Sequence, residues 1–157
     1  MKTKKLRVLL SGAESKLNLG AVMESWGFAV MAVPDGRQAC AAARLGRFDL
    51  CLLDWDMSKM SGLEVCAWIR SVNLPTQPYV VLVTQKSRPQ QVRAAYLVGA
   101  DDYIACPFNL EDLHFLVSSF AQRSSKTNAA FQDINRFDPL EQYRRDLSLS
   151  TRISSRI

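Results

Sequence analysis

The chain holds one histidine, His114, and its four cysteines, Cys40, Cys51, Cys66 and Cys106, lie far apart with no CxxC pair. A structural zinc site needs about four closely spaced Cys or His ligands, so none is expected. Three of the cysteines stand in apolar surroundings and read as small buried hydrophobes. No apolar run approaches the roughly 20 residues of a bilayer-spanning helix. The run behind the basic lead MKTKKLRVLL is too short even for a signal peptide. A reducing cytoplasm is the expected home, with no membrane partner. Charge of one sign is only slightly in excess, 20 Lys and Arg against 15 Asp and Glu, for a net charge of +5. These basic residues are scattered instead of clustering with aromatics, so nucleic-acid binding is not expected of this domain.

What is present suffices for one domain with an ordinary core and some remainder, since 48% of the 157 residues are hydrophobic. The stretch FDLCLLDWDMSKMSG, from Phe48 to Gly62, organises the rest. Leu50, Cys51, Leu52 and Leu53 run without alternation into Asp54, the pattern of a strand buried on both faces of a parallel sheet. That puts the Asp54 carboxylate at the strand's carboxyl edge, where open α/β sheets bind ligands. On position alone, a solvated residue that merely ends the strand is an equal alternative.

Further strands are expected at Leu6 to Leu10, Ala29 to Val33, Tyr79 to Val83 and Asp102 to Ala105. Between them lie helical signals: a first helix from about Ser15 to Trp26, stopped by Gly27, and an Ala-rich one capped by Asp35 and ended by Gly46. Ser61 with Glu64 has capping-box spacing, Ser87-Arg88-Pro89-Gln90 opens a helix ending at Gly99, and Asn109 caps a last helix with Glu111 and Asp112 at its positive end. Five alternations of strand and helix predict a doubly wound parallel sheet with helices on both faces. From about residue 123 the chain turns polar, so residues 123–138 are expected to be a linker. Past Pro139 a helical pattern resumes with Leu140, Tyr143 and Leu147, then Ile153 and Ile157. It predicts a C-terminal helix over residues 139–157, either packed on its own domain or coiling toward a partner or output domain.

Asp54 followed by Trp55, Met57, Met60 and Gly62, with the later TQ, GADDY and PF segments, resembles the receiver domains of bacterial two-component response regulators. The resemblance covers about Leu6 to Gln122, so residues 1–122 are taken as the receiver-like domain. It implies a flavodoxin-like sheet in the order 2-1-3-4-5. It also implies Asp54 as the phosphoacceptor, Thr84 as the hydroxyl that contacts the phosphoryl group, and Tyr103 as the aromatic that moves with the state. Receivers hold magnesium with two acids after the first strand, the acceptor, one backbone carbonyl and waters, and a lysine before a proline adds positive charge.

Three positions depart from that pattern. The acidic pair is Ser11 and Gly12, the lysine is Cys106, and Ser58 replaces a proline in the loop after the acceptor. With two of three carboxylates gone, magnesium affinity is expected to be millimolar or weaker, if any, and no cofactor is expected. Glu14 and Asp56 are the acids that could substitute. Cys106 reads as a neutral filler, with a redox role as the alternative. The expectation is a pseudo-receiver, not an enzyme, that works through signalling proteins or an output domain. Its work would be dimerisation or docking, with a homodimer formed through the fourth helix, fifth strand and fifth helix or through the C-terminal helix. The alternatives are a phosphoacceptor switch at Asp54 with substitute ligands, and a small-molecule or redox sensor in the emptied pocket. Restoring Ser11→Asp, Gly12→Asp and Cys106→Lys should recover metal binding, provided Gly12 does not hold a backbone angle only glycine tolerates.

Overall fold

Strand β3 (Leu50–Asp54) is buried at every position, and its uninterrupted apolar run makes it the centre of a sheet covered on both faces. It pairs in parallel with β1 (Arg7–Ser11) on one side and β4 (Tyr79–Thr84) on the other. β2 (Ala29–Val33) and β5 (Asp102–Ala105) complete the order β2-β1-β3-β4-β5. The computed structural model describes residues 4–12, 18–85 and 89–130. The chain divides into two compact units, Met1–Pro107 and Phe108–Ile157. The first carries the sheet and helices α1 (Leu19–Ser25), α2 (Gly36–Leu45), α3 (Gly62–Ser71) and α4 (Pro89–Leu97); the second carries α5 (Leu110–Ala130). This is the flavodoxin-like arrangement that the alternation of elements and the resemblance predict.

Period-two alternation sorts the strand residues between the faces. Leu9, Cys51, Leu53, Val80 and Leu82 share one core cluster with Ala39 and Ala43 of α2, Val65, Cys66 and Ile69 of α3, and Ala95 of α4. Val8, Leu10, Leu52, Val81 and Val83 point the other way and are equally buried, and α1 packs along β2. Each fully buried Leu or Val is worth about 1.5–3 kcal/mol relative to exposure. Burial also settles the thiols: loss of solvent pushes Cys51 up to about 12 and Cys66 up to about 11, so both are neutral small hydrophobes.

The local stop and start signals act where the sequence puts them. Asp35 Oδ1 accepts from Gln38 N at 2.9 Å, Ser61 and Glu64 exchange both capping-box bonds, and Asn109 Oδ1 accepts from Asp112 N at 2.8 Å. Two bounds differ. β1 runs one residue further, to Ser11, because that residue continues the ladder opposite Leu53. α5 continues to Ala130, through the start of the segment expected to be a linker. No glycine or proline lies between Phe108 and Asp138, and a polar stretch without either does not stop a helix. The first helix is described only from Leu19. Ser15, Glu14, Ser87, Arg88 and the segment over 139–157 lie outside the described residues.

One side chain ties α3 to the entry edge of β4 and β5. Arg70 donates to Gly99 O at 2.8 Å, to Gln77 Oε1 and Pro78 O at 2.9 Å each, and to Asp101 Oδ2 at 2.7 Å. Asp101 Oδ2 also accepts from Val80 N at 2.8 Å.

Candidate functional site at the carboxyl edge of the sheet

Three neighbouring strands end in polar residues: β1 at Ser11, β3 at Asp54 and β4 at Thr84. All three are buried, at 0%, 6% and 2% exposure, although apolar strands ordinarily bury apolar side chains. A buried carboxylate beside two hydroxyl-bearing residues at the carboxyl edge is a place where the fold binds ligands. Asp54 Oδ1 accepts from Asp56 N at 3.2 Å, so the loop after β3 turns back over the acceptor position. Gly62 begins α3 close against this strand end: a Cβ there would collide with the Asp54 carbonyl.

On the β4 and β5 side, Cys106 N donates to Thr84 O at 2.7 Å, and the Cys106–Pro107 bond is cis. Cys106 itself is half-buried. Tyr103 is half-buried on β5 and meets Tyr96 of α4 edge-on, with ring centroids 6.1 Å apart at 80°. The structure thus brings Ser11, Gly12, Asp54 and Thr84 together, with Cys106 joined to Thr84 through the backbone. Asp56 is exposed in the loop, and Glu14 lies outside the described residues.

Met57 is the residue whose part in the site the sequence does not announce. Its thioether lies where a side chain at position 12 would go: a Cβ on Gly12 would stand 2.7 Å from Met57 Cγ, 3.0 Å from its Sδ and 2.9 Å from Asp54 Cβ. Gly12 also holds φ at +75°, a conformation L side chains rarely adopt. The Ser11 hydroxyl is 2.9 Å from Met57 Sδ and 3.2 Å from the Asp35 carbonyl oxygen. Its single proton serves one of these acceptors at a time. The only advance signal is the coincidence of a glycine at position 12 with an unbranched side chain three residues past the acceptor.

The charge on Asp35, whose carbonyl meets Ser11, is paired. Asp35 caps α2, and Lys59 Nζ approaches its Oδ2 at 3.5 Å. The Gln38 N–H, with help from Lys59, holds the Asp35 carboxyl below its ordinary range. Among the described residues no three His, Cys, Asp or Glu side chains converge in a way that could hold a metal ion.

The family described as Response regulator receiver domain matches residues 14–118. The transcriptional regulatory protein RprY of Bacteroides fragilis is 30% identical over 123 residues, covering 76% of this chain and 50% of the relative. The DNA-binding response regulator MtrA of Mycobacterium bovis is 32% identical over 137 residues, covering 85% of this chain and 58% of the relative. This chain therefore spans about half the length of these relatives. Among solved structures, chemotaxis protein CheY4 of Vibrio cholerae superposes with a TM-score of 0.68 at 24% identity, covering 74% of this chain and 99% of that one. A two-component response regulator from Clostridium difficile gives 0.69 at 24% identity, over 77% and 98%. At these identities the two structures speak for the fold alone.

Proposed function

The chain belongs to the response regulator receiver domain family, and from that membership we propose that it acts in two-component signalling as a phosphorylation-independent receiver, an interaction or dimerisation module. The observation that carries this reading is Met57 in the space a side chain at position 12 would fill. Phosphoryl transfer to a carboxylate has little covalent chemistry for a protein to assist; positioning and neutralisation of charge on three oxygens do the work. A magnesium ion demands a near-octahedral oxygen shell. At this edge the residues offer the Asp54 carboxylate, a Ser11 hydroxyl held at a carbonyl and a thioether, and a glycine. Thioether sulfur is a soft donor that suits copper(I), not magnesium. The residues present do not fit a resident magnesium ion. Cys106 puts a thiol in place of the receivers' lysine.

What these residues do instead is hold one arrangement. Ser11 ties β1 to the β2–α2 turn or to Met57, Asp54 takes the loop amide of Asp56, and the Cys106 amide is bound to Thr84. A domain fixed in this way transmits by what it binds, and its partners are signalling proteins or an output domain in a reducing cytoplasm. The names of RprY and MtrA speak of transcriptional regulation and DNA binding; an output of that kind is one partner we propose here.

A second reading has its own observation. Asp54 and Thr84 end adjacent strands, as the acceptor and hydroxyl of a phosphorylated receiver would, so a switch at Asp54 with Asp56 or Glu14 as substitute acids is the competitor. Incubation of the chain with acetyl phosphate and magnesium separates the two. No phosphoprotein and no change in Trp55 fluorescence are expected. A magnesium-dependent phosphoprotein that Asp54→Ala abolishes would sink the first reading.

A further inference from the structure

Helix α2 reads GRQACAAARL and has no acidic residue. Its Ala39 and Ala43 are buried, while Arg37, Ala41, Arg44 and Leu45 are exposed. α3 packs alongside it, and the two helices leave an open groove of about 380 Å³ lined by Arg37, Cys40, Arg44, Leu45, Met60 and Trp68, with Ala41 between. The floor is soft and uncharged: Cys40 Sγ lies 4.0 Å from Met60 Sδ, and burial pushes the Cys40 thiol up. One wall is the Trp68 ring, with the Arg44 guanidinium 5.5 Å from its centroid. Leu45 at the rim is 89% exposed, the largest exposure among the large hydrophobic residues described.

The positive charges decide the occupant. Arg37 and Arg44 are seven residues apart on one helix, which is about two turns and roughly 10 Å. A single small carboxylate reaches one of them. A segment with two acids about two turns apart and apolar residues between them reaches both while covering Leu45 and the groove floor. The acid nearest in sequence on α3, Glu64, is occupied by the Ser61 amide at 2.8 Å, and Asp35 is paired with Lys59. A second copy would bring another basic α2 against this one. The segment over 139–157 carries Arg144, Arg145, Arg152 and Arg156 against Glu141 and Asp146, so its charge also repels.

We propose that the groove between α2 and α3 docks an acidic amphipathic segment of a partner signalling protein, with its carboxylates on Arg37 and Arg44 and its apolar face on Leu45, Met60 and Trp68. The groove lies outside the residues around Asp54, so this docking goes beyond the reading above and holds whether or not Asp54 accepts a phosphoryl group.

The test titrates the full chain with a synthetic helical peptide that carries two glutamates about two turns apart with leucines between them, and with its lysine counterpart. The glutamate peptide should shift the amides of α2 and α3 and the Trp68 indole, and added salt should weaken the effect. Arg37→Glu with Arg44→Glu should weaken binding about tenfold or more. Leu45→Ser, at an exposed position that folding does not need, should weaken it independently. Absence of shifts, or an equal response to the lysine peptide, would overturn the proposal. So would saturation of the same amides by benzoate, which would make the groove a small-molecule pocket. Doubling of the sedimenting mass that the double Arg variant abolishes would overturn it in favour of self-association.

Discussion

A side chain at position 12 would start 2.7 Å from Met57 Cγ while holding φ at +75°, and that left-handed conformation costs an L residue about 1–2 kcal/mol by itself. The condition attached to restoring the acids therefore fails on two counts. Ser11→Asp, Gly12→Asp and Cys106→Lys together are expected to leave Trp55 fluorescence unresponsive to magnesium and to lower the melting temperature. Adding Met57→Ala opens the space and should bring a response. If the three substitutions suffice without it, Met57 is not what fills the pocket. Asp35 gives a second prediction. Its carboxyl is held low chiefly by the Gln38 N–H, so its stabilisation is present above the ordinary carboxylate pKa and lost as pH falls through the depressed one. Asp35→Asn keeps the capping oxygen and should flatten the acid side of a melting-temperature profile, whereas Asp35→Ala should lower melting at neutral pH too. Single caps such as Asp35, Ser61 and Asn109 were legible because the partner is three residues away. The role of Met57 was not, because its neighbours Ser11 and Gly12 lie more than forty residues away at the end of β1.

Among the elements, α3 shows how a helix can be legible while its anchoring is not. Its capping box and its apolar positions Val65 and Ile69 follow from spacing alone. Arg70 in its last turn looks like an ordinary charge at a helix carboxyl end, yet it bonds to Gln77, Pro78, Gly99 and Asp101. Arg70→Ala leaves those acceptors without their shared donor and should destabilise the fold by about 2–3 kcal/mol. Urea unfolding measures this; a change under about 0.5 kcal/mol, the usual range for a surface substitution, would mean that solvent replaces the donor at no cost. α5 teaches the opposite lesson. Its start was legible from Asn109, but its end was not, since a polar stretch without glycine or proline carries no stop.

For the molecule as a whole, strand order and family were legible because five alternations and the Asp54 motif constrain each other. The surroundings of Tyr103 were not, because it meets Tyr96 of another element, which no local spacing announces. An effector shifts a two-state equilibrium only by binding the states differently. Magnesium with beryllofluoride should therefore leave the amide spectrum nearly unchanged, and large shifts around Tyr103 would contradict a fixed domain. The place of β1 between β2 and β3 also bears on how the chain comes off the ribosome. The first strand made is an interior strand, and both of its partners are synthesised later, β3 last. Until β3 is in place, the edge of β1 that β3 covers is open and apolar, the kind of edge that recruits other chains. Once β3 emerges it closes that edge, and only then can Ser11 and Asp54 end neighbouring strands.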